Sequence, residues 1–256
     1  MQFSVEDREF LLSQSNSKTL PEWFECFEKR YTKSQIYSLC YHNNKPIKKL
    51  TQSEKSKIQS QNSRKYNINQ DFFKTWSNEM AYVLGLWYAD GYIYGGGMFD
   101  ITLHKKDSYI LNKVKNLLGY EGQLYDYVDR QSCRLNFSCK VIYDDIISLG
   151  GQEQKSSFPK IPIEHLSHFI RGYFDGDGCI MNLKRGRINS AFTCGSEEFL
   201  TDLHSILKEH AGVEGGSYDK SCLSLKFGKK DSQKIGDFMY RDCGDLYLQR
   251  KKIKFI

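Results

Sequence analysis

Residues 169–180 read Phe169-Ile170-Arg171-Gly172-Tyr173-Phe174-Asp175-Gly176-Asp177-Gly178-Cys179-Ile180, and residues 82–93 read Tyr82-Val83-Leu84-Gly85-Leu86-Trp87-Tyr88-Ala89-Asp90-Gly91-Tyr92-Ile93, a near-copy 87 positions earlier. Each stretch is apolar nearly all round, the pattern of a helix buried on most sides. Gly85 and Ala89 are four residues apart, as are Gly172 and Gly176. That spacing sets two small residues on one helical face, where a partner backbone can come close. Two such faces invite the helices to pack on each other. Gly91 and Gly178 are expected to close the helices in the left-handed conformation, which leaves Asp90 and Asp177 in the last turns. A carboxylate there meets the negative end of the helix dipole, at a cost of a few tenths to about 1 kcal/mol. If the helices pair in parallel, the two carboxylates also approach each other, and a cation beside them is what makes the arrangement reasonable. Oxygen ligands without His or Cys point to Mg2+ (or Mn2+) rather than Zn2+. One copy alone reads as a buried helix ending in an Asp-Gly turn. A second copy with the same small pair and the same terminal Asp-Gly is what chance does not supply.

The paired motifs resemble the LAGLIDADG homing endonucleases of the two-motif, single-chain type. Ile170 to Gly178 match that family's helix closely. Val83 to Gly91 match less fully, because Tyr88 stands where an acidic residue is frequent, but the catalytic-type Asp90 is present. Gly150-Gly151-Gln152-Glu153-Gln154-Lys155-Ser156, leading to Pro159-Lys160-Ile161-Pro162, looks like the segment joining the halves of single-chain members. Tyr247-Leu248-Gln249-Arg250-Lys251-Lys252 looks like their C-terminal Tyr-Leu-x-Arg-Lys signature. The resemblance spans Ser77 to Ile256.

It implies an α+β fold of two pseudo-symmetric αββαββα halves forming a DNA-binding saddle. It further implies double-strand cleavage across the minor groove, one Asp per strand, with Asp90 and Asp177 as catalytic metal ligands and the carbonyls of Ala89 and Gly176 joining the metal shell. Lys140 and Lys230, each five residues after a strand leucine (Leu135, Leu225), match the family position whose basic residue stabilises the phosphate or orients water. Lys229 competes for that role, since the second-half alignment is uncertain by a residue. Asp175 lies off the shared face and reads as structural. Both motifs in one chain imply a monomer on a long asymmetric duplex site. The alternatives are an RNA-splicing maturase of a group I intron, with intron RNA as partner, and a non-catalytic DNA-binding regulator. No splice-junction pattern stands at the ends, so an intein is not expected.

At 256 residues and net charge +6 the chain can bury a substantial core. Its charge is uneven: Lys29 to Thr75 hold eleven Lys and Arg against two acids, as in a segment that faces a polyanion. Eight cysteines include no CxxC pair and no zinc spacing, which fits a reducing compartment. The acidic start, Met1-Gln2-Phe3-Ser4-Val5-Glu6-Asp7, carries no signal or basic transit peptide, and no apolar run is long enough for a membrane span. An intracellular location follows, in a bacterial or phage-infected cytoplasm or in an organelle.

Residues 1–50 contain three helix starts: Ser4, Thr19 and Thr32, each three residues before Asp, Glu or Gln. Phe10 and Leu11, then Trp23, Phe24 and Phe27, then Ile36, Leu39 and Cys40 supply apolar stripes. The segment looks like a trihelical helix-turn-helix of the Myb or homeodomain kind, its third helix presenting Lys33, Gln35, Tyr37, Ser38, Tyr41 and His42 to DNA. Residues 51–76 read as a basic tether, with Phe72, Phe73 and Trp76 marking the return to packing. The halves are then 77–163 and 164–256. In each, apolar alternation of period two marks strands and spacing of 3.6 marks helices, an internal repeat of about 85 residues. Arg134, Asn136, Lys140, Arg187, Asn189 and Lys226 recur on the polar strand faces, and Lys184 and Arg185 make a basic tip between strands. Long basic and amide side chains of this kind read base edges and phosphates.

Overall fold

In the computed structural model of the chain, the structure describes residues 3–52, 54–55, 66–94, 97–151, 156–183 and 187–255. Two compact units are present, residues 1–65 and 66–256.

The first unit is built from α1 (Val5–Gln14), α2 (Leu20–Cys26) and α3 (Lys33–His42). Each begins at the expected hydroxyl. Ser4 Oγ accepts from the Asp7 amide at 3.1 Å, and the amides of Thr19 and Thr32 donate to Glu22 and Gln35 side chains at 2.7 and 2.8 Å. These contacts satisfy amides that a helix start leaves without partners. Leu11, Trp23, Phe27, Tyr31, Ile36 and Cys40 form a core of their own.

The second unit begins earlier than the expected linker boundary at residue 76. Tyr66, Ile68, Phe72 and Trp76 pack against its core, and the Asn69 amide donates to the Leu118 carbonyl at 2.7 Å. α4 (Asn78–Asp90) leads into β1 (Gly91–Tyr94) and β2 (Met98–His104), then α5 (Ser108–Leu117), β3 (Tyr125–Tyr127), β4 (Ser132–Ser138) and α6 (Lys140–Ser148). The series recurs as α7 (Leu166–Asp177), β5 (Gly178–Leu183), β6 (Arg187–Thr193), α8 (Glu197–Ala211), β7 (Ser217–Asp219), β8 (Ser224–Phe227) and α9 (Lys229–Tyr240), with a last turn α10 (Gln249–Lys252). Two antiparallel sheets result, ordered β1-β2-β4-β3 and β5-β6-β8-β7. The repeat extends to register: Gly91 faces Ile101 and Ile101 faces Leu135, as Gly178 faces Phe192 and Phe192 faces Leu225.

α4 and α7 pack through their glycines. A methyl group on Gly85 would lie 2.0 Å from the Phe169 carbonyl oxygen, and one on Gly172 would lie 2.1 Å from that of Tyr82. No other residue fits between such close backbones. Gly91 and Gly178 correct the sequence expectation. Their φ angles are −92° and −82°, so neither is left-handed. The chain passes directly from helix to strand, and a Cβ would strike the side chain four residues back, 2.3 Å from Trp87 Cδ1 or 2.2 Å from Phe174 Cδ2. Among the described residues no cysteine is in a disulfide; Cys133 and Cys139 are buried, as small apolar residues are, whereas Cys222 is exposed.

Candidate active site

Because α4 and α7 run side by side through their small faces, their carboxyl ends meet. A Cβ on Gly176 would lie 2.3 Å from the Ala89 Cβ and 2.6 Å from Asp90 Oδ2. The Asp90 carboxylate therefore rests on the last turn of α7, against the residue before Asp177. Both aspartates are partly exposed at the ends of their helices. Burial first, then the Cys194 thiol and the charges of Asp177 and Asp90, hold the Tyr173 hydroxyl far above its ordinary range. One tyrosine thus feels both carboxylates.

Among the described residues no group of three or more His, Cys, Asp or Glu gathers as a metal site. The donors at this point are two carboxylates and the nearby carbonyls of Ala89 and Gly176. An all-oxygen set with excess negative charge fits a hard divalent ion, and the room left by the absent Gly176 side chain is what lets Asp90 into it.

Asp175 is structural, as its position predicts. It is 1 % exposed, and its Oδ2 accepts from the Tyr82 hydroxyl at 2.8 Å and the Leu248 amide at 2.9 Å. Burial lifts its carboxyl to about 6 against the pull of those donors and of Lys251 and Arg171. Lys251 is the residue sequence reasoning passed over. Its Nζ donates to the carbonyls of Phe174, Asp175, Gly176 and Gly178 at 2.7, 2.6, 3.0 and 2.7 Å. The only signal was its place in the Tyr-Leu-x-Arg-Lys run.

Lys140 and Lys230 lie in the first turns of α6 and α9, exposed, and pair with Asp144 at 2.9 Å and Glu214 at 3.0 Å. Strand register makes Lys230 the equivalent of Lys140, while the helix starts align Lys140 with Lys229, which is also exposed. On the first sheet, Arg134 and Asn136 are not free arms. Arg134 forms an ion pair with Asp100, which is 4 % exposed, and Asn136 Nδ2 donates to the same carboxylate at 2.8 Å. On the second, Lys226 pairs with Asp219 at 2.6 Å and Asn189 is half-buried. Lys184 and Arg185 lie outside the described residues, as does the Arg187 side chain. In the first unit Lys33 sits 5.1 Å over the Phe24 ring, and the Gln35 carbonyl is taken up in capping α3. Among the described residues no helix is long and apolar enough to cross a membrane.

The model of the LAGLIDADG-like domain matches residues 164–223. No curated protein sequence matches the chain. Among solved structures, the I-LtrWI LAGLIDADG homing endonuclease bound to target DNA is 13% identical, covering 73% of this chain and 88% of its own, with a TM-score of 0.46. The I-SmaMI LAGLIDADG homing endonuclease bound to cleaved DNA is 14% identical over 71% and 87%, TM-score 0.49. The N-terminal LAGLIDADG domain of DUF199/WhiA is 16% identical over 72% and 91%, TM-score 0.47. The matched span lies across the second motif helix, and the first half repeats the strand order and register of the second.

Proposed function

We propose that the chain is a monomeric, site-specific endonuclease that hydrolyses both strands of duplex DNA. The observation that carries this reading is the seating of the Asp90 carboxylate on the last turn of α7, beside Asp177. Asp90, Asp177 and the carbonyls of Ala89 and Gly176 would hold Mg2+ or Mn2+, and such an ion, when bound, activates water and stabilises the leaving 3′ oxygen. Asp90 serves one strand and Asp177 the other. Lys140 and Lys230, or Lys229 in its place, meet phosphate charge once DNA displaces their exposed carboxylate partners. The polar sheet faces, with Asn189 and Lys226, lie along the duplex, and Lys184, Arg185 and Arg187 add basic charge to it. Lys33 and the exposed tyrosines of α3 add contacts from the first unit.

The test is incubation of the purified chain with DNA spanning its own locus, with and without an intron, and Mg2+. Linear product from wild type and none from Asp90→Asn or Asp177→Asn supports the proposal. Intron RNA splicing rescued equally by both variants supports a maturase instead, and specific DNA binding without cleavage supports a regulator.

A further inference from the structure

The segment after α9 brings one ammonium group against the metal end of the second motif helix. Lys251 is 5 % exposed, and its Nζ lies within 2.6–3.0 Å of the carbonyl oxygens of Phe174, Asp175, Gly176 and Gly178. The last carbonyls of a helix have no partner within it and carry the negative end of its dipole. Four acceptors around three ammonium protons make a cage rather than a single cap, and one of the four is Gly176. The neighbours of Lys251 hold the cage in place. The Leu248 amide donates to Asp175 on α7 at 2.9 Å, and Arg250 grips Asp107 in the first half through Nε at 3.0 and 3.1 Å and Nη2 at 2.6 Å. Adjacent residues of one short turn are thus pinned to both halves.

We propose that Lys251 is a positioning residue of the reaction centre, holding the last turn of α7 so that the Gly176 carbonyl and the Asp177 carboxylate face the divalent ion. This deepens the endonuclease reading and rests on it. Without the ammonium, the carbonyls at the end of α7 lose their shared donor, Phe174 keeping only the Gly178 amide, and the final turn frays, so its two ligands lose their preset directions.

The experiment measures Mn2+ binding to the full chain by electron paramagnetic resonance, at a temperature where circular dichroism shows every variant folded. Lys251→Met keeps the apolar stem and removes the charge; Leu203→Ala, in the core away from the cage, controls for lost stability. Lys251→Met should weaken Mn2+ binding about 10- to 100-fold, the usual effect of removing a group that orients a ligand, while Leu203→Ala leaves it unchanged. Amide exchange at residues 175–180, measured without metal, should quicken in Lys251→Met alone. Wild-type Mn2+ affinity and wild-type exchange in Lys251→Met overturn the inference while leaving the endonuclease reading intact, provided Asp177→Asn loses the ion. Equal binding by wild type and Asp177→Asn overturns both. Should Lys251→Met not fold, Lys251→Arg decides: a planar fork cannot fill a four-carbonyl cage, so Mn2+ affinity as good as wild type sinks the proposal.

Discussion

At the scale of single residues, the same amino acid does two jobs in the motif helices. Gly85 and Gly172 let two backbones touch, whereas Gly91 and Gly178 clear a side chain one turn back. Gly172→Ala pushes a methyl group to 2.1 Å from the Tyr82 carbonyl and so must move a helix. It should cost about 1–3 kcal/mol or more in urea unfolding, and it should lower cleavage by separating Asp90 from α7. Buried titratable groups give a second expectation. Burial first and then the Arg171 guanidinium depress His168 from 6.5 to about 4, and its Nδ1 accepts from Arg171 at 3.0 Å. Between those values the unfolded chain binds the proton and the folded chain does not, so this group removes stability as pH falls, by roughly 3 kcal/mol in full. Asp175 acts in the opposite sense, because its raised carboxyl takes up a proton in the folded state first, between about 6 and 3.8. The two are separated by comparing wild type with His168→Gln. Wild type should lose more stability than the variant from pH 7 to pH 4.5; parallel curves would show that His168 is not held neutral.

At the scale of elements, legibility followed burial. Helices and strands with one apolar face declared their period, and Ser4, Thr19 and Thr32 marked helix starts that the structure keeps. The αββαββα order calls for β3 without placing it, because Tyr125, Asp126 and Tyr127 are all exposed and three residues are too short a run to declare a buried face. The polar network on the first sheet was illegible for another reason: Asp100 and Arg134 are 34 positions apart, and only strand pairing brings them together. Lys251 and its carbonyls, some 75 positions apart, belong to the same class. Backbone acceptors leave no trace in side-chain patterns. The network yields a prediction about DNA. Asp100→Asn keeps the amide contact with Asn136 but frees the Arg134 charge, so duplex affinity at low salt should rise and its salt slope steepen by about one ion. Fluorescence anisotropy across a salt series reads this, and an unchanged slope would mean that this sheet face does not meet phosphate.

At the scale of the molecule, the chain has two cores, and both motif aspartates stand on helices of the second. Leu11, Trp23, Phe27, Tyr31, Ile36 and Cys40 close the first unit on themselves, while the motif helices, both sheets and the C-terminal turn share the other. Residues 66–76 belong to that second core, so a cut after residue 65 removes one whole core and leaves the other whole. Deletion of residues 1–65 should therefore leave the thermal midpoint of the motif unit within a few degrees of its value in the full chain. The deletion also removes most of the basic segment between Lys29 and Thr75, and with it the second, tethered hold on DNA proposed for the first unit. A tether raises affinity by effective concentration, so its loss should weaken binding to long duplexes by about 10²-fold or more, most at low salt. Once every target is bound, the rate of strand cleavage should equal that of the intact chain, because Asp90, Asp177 and Lys251 all remain. A truncated chain that saturates its target and no longer cuts would show that the first unit takes part in the reaction itself.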